Sequence, residues 1–243
     1  MPVSSARWNA GVKLTDTEPV EDFRGFGITA FTTTRASGSF NTATSEPVSA
    51  VMERWNSLRD YLLTLAPRLA TARQVHGDSI AVHSGEWSGW LRITAADGHF
   101  AGSRGTAMAV TVADCVPVFL AHPSGACALL HAGWRGTVGR ILERGVELFH
   151  SRGFAIEDVW AHLGPAICGK CYEVSPDVYG LLTGKDTMVS GRVDLREVLA
   201  SQAFKLGVRR IGCSSLCTLC DNDRFFSHRA GDEGRQLGVM VAS

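Results

Sequence analysis

The central stretch from Thr106 to Ala132 reads TAMAVTVADCVPVFLAHPSGACALLHA. It contains two apolar segments, 106–121 and 126–132, which are rich in β-branched and small residues and are joined by the tetrapeptide HPSG. Proline and glycine in such a bridge favour a reversal of the chain. The stretch therefore predicts two buried strands that form a β-hairpin.

A strand and a helix are predicted before this hairpin. Residues 26–34, FGITAFTTT, have the composition of a strand. After Pro47, apolar residues recur at spacings of three and four, which predicts an amphipathic helix that ends at Ala66-Pro67. The apolar residues of that helix are Val51, Trp55, Leu58, Leu62 and Leu65.

Two more helices are predicted after the hairpin, at 137–151 and 195–206. Asp194 is the expected N-cap of the second one, Glu197 completes a capping box, and Gly207 follows as the C-cap. Strands and helices thus alternate irregularly, which predicts an α/β (mixed α+β) fold with mixed β-sheets flanked by helices. We expect a single domain over 21–243, preceded by a poorly ordered segment, 1–20.

The composition excludes several classes of protein. The 24 basic residues balance 24 acidic ones, and no basic stripe marks a nucleic-acid partner. The beginning of the chain lacks the apolar core of a signal peptide, and the longest apolar run is interrupted by Asp114. Seven cysteines cannot all pair within one chain. We therefore expect a cytoplasmic protein without a membrane or nucleic-acid partner; the sequence leaves its oligomeric state open.

The hairpin brings a cysteine near a histidine. Facing residues would have numbers that add up to about 247, which places Cys115 opposite His131 to within one residue. Directly opposed side chains share a face of the sheet, with Cβ atoms roughly 4.5–5.5 Å apart. That separation suits two ligands of one metal ion or a thiol beside its base. Pro117 cannot donate a hydrogen bond, so we expect loosened pairing or a sheet edge there.

The residues that follow His131 indicate a binding site for an anion. The stretch 128–140 reads ALLHAGWRGTVGR and contains Arg135 next to a predicted helix start. Free N–H groups at a helix start attract anions, and a guanidinium can grip a phosphate or carboxylate. The alternative is that Arg135 forms an ion pair with a surface carboxylate. Asp114, inside an apolar run, needs hydrogen bonds or a charged partner, and it either belongs to this site or caps a local turn.

Five later cysteines have spacings that suit a metal: C168-x2-C171 and C213-x3-C217-x2-C220. Two pairs of thiolates would make a structural zinc site. Five cysteines fit four ligand positions only loosely, however, and free core thiols are the interpretation that we favour from sequence. His76 stands alone in RQVHGDSI, and a lone histidine is more often structural than catalytic.

Six motifs together resemble the YfiH-type family, also described as laccase-domain, polyphenol oxidase-like or purine nucleoside phosphorylase-like proteins. The motifs are RQVHGDSI, DGHFAG, TVADCVPVFL, LLHAGWRGT, HLGPAICGKCYEV and CTLCDNDRFFSHRAGDEGRQLGV. The resemblance implies a layered YfiH-like sandwich and a zinc site whose ligands map to His76, Cys115 and His131. It also implies that the late cysteines bind no metal.

The implied reactions are phosphorolysis of purine nucleosides (adenosine, inosine, guanosine and methylthioadenosine) and deamination of adenosine. The implied partners are thus a small nucleoside and phosphate. His76, Cys115, His131 and Asp114 are the candidate catalytic residues, with Asp114 or a histidine as proton shuttle. Arg135 would hold phosphate. Arg35 and Asn41 match the family's early substrate loop, although TTTRASGSFNTAT is shortened and has lost one glycine.

Two alternatives remain from sequence. Two histidines and one cysteine also match a blue-copper centre. Laccases bind their further copper ions through His-x-His pairs, however, and none of the eight histidines forms such a pair. A copper polyphenol oxidase is therefore the less favoured interpretation. A metal-independent hydrolase would use Cys115 as nucleophile and His131 as base on an amide or aminoacyl bond.

Overall fold

The computed structural model describes residues 16–243 and contains two six-stranded sheets. The first sheet has the order β1-β2-β14-β7-β3-β5 and is mixed, because β3 runs parallel to both of its neighbours. Its strands are β1 (Thr17–Pro19), β2 (Ile28–Thr33), β3 (Arg68–Ala72), β5 (Gly89–Ile93), β7 (Thr106–Val112) and β14 (Gln236–Ala242).

The second sheet has the order β13-β10-β8-β9-β6-β4 and is also mixed. Its strands are β4 (Ile80–His83), β6 (Gly98–Ala101), β8 (Val116–Ala121), β9 (Cys127–Ala132), β10 (Trp160–Leu163) and β13 (Arg210–Cys213). A small antiparallel ribbon joins β11 (Glu173–Val174) to β12 (Gly191–Arg192).

Helices cover the outer faces of both sheets, so the molecule has four layers. Their bounds are α1 (Val48–Leu65), α2 (Trp134–Val138), α3 (Ile141–His150), α4 (Pro176–Thr183) and α5 (Leu195–Lys205). One core lies between the sheets, where Met108 of β7 meets Phe119 of β8. A second packs α1 on the first sheet, and a third packs α3 and α5 on the second. The predicted mixed α/β sandwich is confirmed.

The apolar segment 106–121 is divided between the two sheets. β7 belongs to the first sheet and β8 to the second, and the chain crosses between them at 113–115. Asp114 makes this turn with a positive φ of 79°, a conformation that is uncommon for residues other than glycine. Asp114 was the one sign of this break in the apolar segment, and the break brings the first sheet to Cys115.

The predicted hairpin is confirmed, with a register shifted by one residue. Val116 pairs with Ala132 and Pro117 with His131. Cys115 therefore precedes β8 opposite Gly133, and His131 is its diagonal neighbour. His131 pairs with Pro117, and Pro117 lies two residues from Cys115. Because alternate residues of a strand point to the same face, Cys115 and His131 still share a face.

Of the two expectations for Pro117, the sheet edge is wrong, because β8 is flanked by β9 and β10. The pairing of β8 with β10 begins one residue later, at Val118, and the carbonyl of Pro117 accepts the N–H of Gly164. The missing N–H of the proline thus falls at the end of that ladder.

Helix α1 confirms its predicted span, with Val51, Trp55, Leu58 and Leu62 buried. The helix predicted over 137–151 is instead divided into α2 and α3, because Arg140 adopts a left-handed conformation between them. Asp194 caps α5 as predicted, and its side chain accepts the N–H of Arg196. The predicted capping box is not formed, because Glu197 takes no part in this cap.

The segment expected to be poorly ordered, 1–20, falls partly on residues 1–15, which lie outside the described residues. Within the remainder, Thr17–Pro19 form β1 and pair with β2. None of the helices in residues 16–243 is long and apolar enough to cross a bilayer.

Candidate functional site

A cavity of about 890 Å³ opens beside the first sheet and reaches the turn between the sheets. Side chains from α1, β3, β5 and β7 line one part of it, and residues around the β8–β9 corner line another. Its size lies in the range typical of small-molecule sites. The candidate active site occupies the end where the two sheets meet.

Three metal-ligand side chains meet at this end. One ligand atom each from His76, Cys115 and His131 lies within 4.8 Å of the other two. His131 comes from the end of β9, Cys115 directly precedes β8, and His76 lies in the loop between β3 and β4. The structure thus brings together the three residues that the family resemblance implied.

Asp97 holds two of these ligands in place. Its side chain is fully buried and accepts the backbone N–H groups of Val75 (3.2 Å), His76 (2.9 Å) and Gly77 (2.7 Å). The same carboxylate lies 2.9 Å from Nδ1 of His131. Burial alone would raise the pKa of Asp97, but the hydrogen bonds from His131 and the loop outweigh it and lower the pKa.

Sequence reasoning missed Asp97, although the motif DGHFAG contains it. The usable signal was an acidic residue directly before a short apolar strand, where a buried carboxylate needs partners. Its bond to Nδ1 leaves Nε2 of His131 facing Cys115. A carboxylate behind a histidine ligand orients the ring in many metal sites, and we place Asp97 in that role.

Cys115 and His131 are electrostatically coupled. Burial raises the pKa of the Cys115 thiol, but the charge of His131 and hydrogen bonds with His131 and His76 lower it to about 6. Burial lowers the pKa of His131, whereas the Cys115 thiolate and Asp97 raise it to about 9. Each group therefore favours the charged form of the other.

The glycines of the 128–140 stretch allow this corner to close. A Cβ on Gly133 would lie 2.8 Å from Sγ of Cys115, and a Cβ on Gly136 would lie 2.9 Å from the carbonyl oxygen of Gly77. Side chains at either position would push the strand–helix corner away from Cys115 or from the His76 loop. His76 itself has a positive φ of 58°. Backbone strain of this kind is concentrated at functional sites.

Asp114 lies on the cavity wall beside Cys115. One carboxylate oxygen accepts the hydroxyl of Thr218 at 2.6 Å, and the other accepts the N–H of Arg229 at 2.8 Å. The residue is buried and satisfied by hydrogen bonds, as an acidic residue in an apolar run must be. Asp114 thereby fixes the 218–229 segment against the turn between the sheets.

Five arginines line the cavity, and Asp114 is the single acidic residue among its lining side chains. The guanidinium of Arg135 stacks over Trp134, with 4.5 Å between its central carbon and the ring centroid. Within residues 16–243, none of the five forms an ion pair with a carboxylate. The surface ion pair considered for Arg135 is therefore not formed there, and the cavity is electropositive. The five arginines are Arg73, Arg92, Arg135, Arg229 and Arg235.

Of these five arginines, only Arg135 is predicted from sequence to bind an anion. Helix α2, which carries it, has five residues, so its dipole is small and the positive charge comes from the guanidinium groups. The other four come from three separate parts of the chain, since only Arg229 and Arg235 are close in sequence, and no local pattern marks the three parts as neighbours.

Arg35 and Asn41, the other proposed substrate residues, are placed differently from each other. Arg35 is not among the cavity-lining residues: it pairs with Asp232 at 2.6 Å and donates to the carbonyl groups of Asn222 and Phe225. Asn41 lines the cavity, and its amide donates to the carbonyl of Glu233 at 2.7 Å. The structure therefore does not bring Arg35 to the site and does bring Asn41.

Aromatic rings form the wall away from the metal ligands. Trp55 and Trp90 stack with ring centroids 5.4 Å apart, and both line the cavity. Phe40 packs edge-on against Trp55, and the indole N–H of Trp90 donates to Thr71. Such a wall can stack a planar, uncharged ring.

The three ligands fit a zinc ion. Zinc bonds of 2.0–2.3 Å in a tetrahedron place ligand atoms about 3.3–3.7 Å apart, which is compatible with atoms that all lie within 4.8 Å of one another. Two imidazoles and a thiolate are donors that zinc accepts, and three protein ligands leave one position open to the cavity.

Comparison with known proteins identifies the family of this chain. A family profile described as multi-copper polyphenol oxidoreductase laccase matches residues 29–243. A purine nucleoside phosphorylase of Streptomyces griseus is 35% identical over 175 residues, which cover 69% of this chain and 71% of that protein. A purine nucleoside phosphorylase of Corynebacterium glutamicum is 32% identical over 225 residues, covering 86% of this chain and 92% of that protein.

Solved structures show the same fold. The hypothetical protein YfiH of Bacillus licheniformis has a TM-score of 0.82 at 25% identity, covering 98% of both chains. YlmD of Geobacillus stearothermophilus has a TM-score of 0.79 at 28% identity, covering 89% of this chain and 93% of that one. The chain therefore belongs to the laccase-domain family, which is the YfiH-type family that its motifs resemble.

Proposed function

We propose that this protein is a zinc-dependent purine nucleoside enzyme. It would cleave adenosine, inosine, guanosine and methylthioadenosine with phosphate and would also deaminate adenosine. The observation that carries the proposal is one cavity that joins the His76–Cys115–His131 set to five arginines without carboxylate partners. The relatives named purine nucleoside phosphorylase support the choice of substrate.

We assign the metal to His76, Cys115 and His131. When bound there, zinc supplies Lewis acidity and lowers the pKa of water at its open position. Asp97 keeps Nδ1 of His131 occupied, so that Nε2 is the nitrogen that faces the metal position. Asp97 also holds the His76 loop through three N–H groups.

Phosphate would bind to the arginines of the cavity. Phosphorolysis breaks the bond between ribose C1′ and the base and forms a bond from C1′ to a phosphate oxygen. An anion must therefore be held beneath the ribose. We assign this role to Arg135, whose guanidinium is stacked on Trp134 and pairs with no carboxylate of the described residues. A stacked guanidinium is also pre-oriented for two-point contact with phosphate.

The purine would lie against the aromatic wall formed by Trp55 and Trp90. Stacking between a base and an aromatic side chain contributes about 1–3 kcal/mol. In the deamination, water replaces the amino group on purine C6 and ammonia leaves with a proton. We assign the transfer of that proton to Asp114, which lies on the cavity wall next to Cys115 in sequence.

Product analysis tests the proposal. Zinc-loaded protein is incubated with adenosine, with and without phosphate, and the products are identified by chromatography and mass spectrometry. Without phosphate we expect inosine with ammonia. With phosphate we expect ribose 1-phosphate together with adenine and, from cleavage of the inosine, hypoxanthine. Cys115→Ala should abolish both reactions, whereas Cys213→Ala, which changes an exposed thiol outside the site, should retain them. No turnover by the zinc-loaded protein would refute the proposal.

A second pair of variants separates the two reactions. Arg135→Met should slow phosphorolysis and raise the KM for phosphate at least tenfold, while it spares deamination, which uses water. Arg152→Met is the matched control, because Arg152 stacks over Phe100 at 4.8 Å in the same way but lies outside the cavity. Equal loss of both reactions in Arg135→Met would show that this arginine does not act through phosphate.

One observation favours a second candidate, a metal-independent Cys–His hydrolase. Asp97, His131 and Cys115 are connected in series, with the carboxylate orienting the histidine beside a thiol of lowered pKa. Such a series activates a cysteine nucleophile. Hydrolysis of an aminoacyl ester that persists in excess chelator and is lost on alkylation of Cys115 would favour this candidate over the nucleoside enzyme.

A further inference from the structure

A second cluster of ligands lies outside the cavity. The sulfur atoms of Cys168, Cys171, Cys217 and Cys220 lie within 4.8 Å of one another. The first two follow β10, and the other two follow β13. Sequence reasoning favoured free thiols here, partly because a fifth cysteine seemed to belong to the set. The structure leaves out Cys213, so that two C-x2-C pairs remain.

The backbone builds this cluster from two segments that are distant in sequence. Ala166 and Cys217 form a parallel bridge, and the N–H of Thr218 donates to the carbonyl of Ala166. The N–H groups of Cys171 and Tyr172 both donate to the carbonyl of Cys168, which closes a tight turn around the first pair. The four sulfur atoms thus meet because the two turns are held side by side.

Two backbone N–H groups point at a sulfur atom. Sγ of Cys217 accepts the N–H of Cys168 at 3.2 Å and that of Cys220 at 3.4 Å. Sγ of Cys171 lies 3.4 Å from Sγ of Cys220. Hydrogen bonds from N–H groups favour the thiolate form of a cysteine, and the thiolate is the form that binds a metal.

A buried cation balances part of the charge of such thiolates. Arg196 is 5% exposed and interacts electrostatically with Cys217. It donates to the carbonyl oxygens of Ser214 and Leu216 in the segment that leads to the second pair. Its partner Asp194 also accepts the N–H of Gly169, within the first pair. The Arg196–Asp194 pair therefore connects α5 to both halves of the cluster.

We propose that Cys168, Cys171, Cys217 and Cys220 bind one structural zinc ion. Zn–S bonds of 2.3 Å in a tetrahedron place sulfur atoms about 3.8 Å apart, a separation that lies between the 3.4 Å from Cys171 to Cys220 and the 4.8 Å within which all four sulfur atoms lie. Binding replaces the thiol protons with four Zn–S bonds and needs no oxidant or reductant. Four protein ligands leave no open position, as expected for a structural rather than a catalytic site.

This zinc site would brace one wall of the cavity. Tyr172, next to Cys171, lines the cavity, and Thr218, next to Cys217, donates its hydroxyl to Asp114. Without the ion, the segments after β10 and β13 would be joined here mainly by one bridge and a few backbone hydrogen bonds. Its role in stability does not depend on the reaction proposed for the cavity.

Metal quantification on purified, reduced protein tests the proposal. We expect two zinc ions per chain in the wild type, one in Cys115→Ala, and one in Cys217→Ser. Cys213→Ser is the matched control, since it alters a thiol of the same region that lies outside the cluster, and it should keep both ions. In Cys217→Ser we also expect a lower Tm than in Cys213→Ser.

If Cys217→Ser fails to fold, cobalt substitution provides a second test of the proposed zinc site. Cys115→Ala, which retains the four-cysteine cluster, is refolded with Co²⁺, and intense visible and near-ultraviolet bands of a tetrathiolate site are expected. One zinc ion or none in the wild type, with no such bands in Cys115→Ala, would overturn the proposal. Iron at the site would overturn the assignment of zinc, and a Cys171–Cys220 disulfide in the protein as isolated would replace the metal site with a redox pair.

Discussion

The carboxylate of Asp97 is predicted to be the main support of the candidate active site, and Asp97→Asn tests this role. The carboxylate accepts three backbone N–H groups of the His76 loop and the Nδ1–H of His131. An asparagine has one acceptor oxygen, which can keep about two of these four bonds, and its NH2 group faces the remaining donors.

The magnitude follows from the lost bonds. Hydrogen bonds to a charged group contribute about 1.5–3 kcal/mol each, so losing two of them should lower the free energy of unfolding by about 3–6 kcal/mol. A typical domain has about 5–15 kcal/mol in total. Loss of the carboxylate behind a histidine ligand should also weaken zinc binding by about 10–100-fold.

Urea unfolding followed by tryptophan fluorescence measures the first quantity, in excess chelator so that metal binding does not contribute. Competition with a zinc indicator measures the second. Asp78→Asn is the matched control, because Asp78 belongs to the same loop but forms a partly exposed ion pair with Arg144. It should change the free energy of unfolding by about 0–1 kcal/mol. Wild-type stability and zinc affinity in Asp97→Asn would refute the assigned role.

Two further predictions concern a close approach and a buried histidine. Gly133→Ala would bring a Cβ within 2.8 Å of Sγ of Cys115 and should lower zinc affinity at least tenfold. Gly25→Ala is the control, because a Cβ at Gly25 would have no atom within 4 Å, and it should leave zinc affinity unchanged. Equal zinc affinities of the two variants would contradict the close approach at Gly133. Burial, followed by the charge of His83, lowers the pKa of His99 to about 3, so His99 stays neutral in the folded protein while the unfolded chain binds a proton below pH 6.5. The free energy of unfolding should therefore fall as the pH drops, and His99 should contribute on the order of 2 kcal/mol of this fall at pH 5. Urea unfolding of His99→Asn at several pH values should show a free energy that depends less on pH than in the wild type. The same pH dependence in both proteins would contradict this effect of burial.

The elements that the sequence predicted correctly depend on contacts within a few residues. The period of apolar residues in α1, the Asp194 cap and the turn at HPSG are local features, because each is recorded in residues only a few positions apart. The helix over 137–151 was predicted as continuous because its apolar spacing continues across Arg140. Its break depends on a single backbone conformation that spacing does not reveal.

The candidate site was predictable only in part. The hairpin brought Cys115 towards His131 from the residues alone, and the family resemblance added His76. Asp97 escaped notice because its partners lie about 20 and 34 positions away in the chain. Arg35 matched the family's motif locally, yet the fold gave its charge to Asp232.

By itself, the sequence determined that the chain forms a mixed α/β sandwich and that one hairpin brings a thiol close to a histidine. The tertiary structure alone decided that 106–121 is divided between two sheets, that five arginines converge on one cavity, and that two cysteine pairs 49 residues apart meet. The reason is physical. Local patterns record which face of a helix or strand is buried, whereas contacts between residues that are distant in the chain depend on how the layers pack. Their energies involve residues that no short stretch contains.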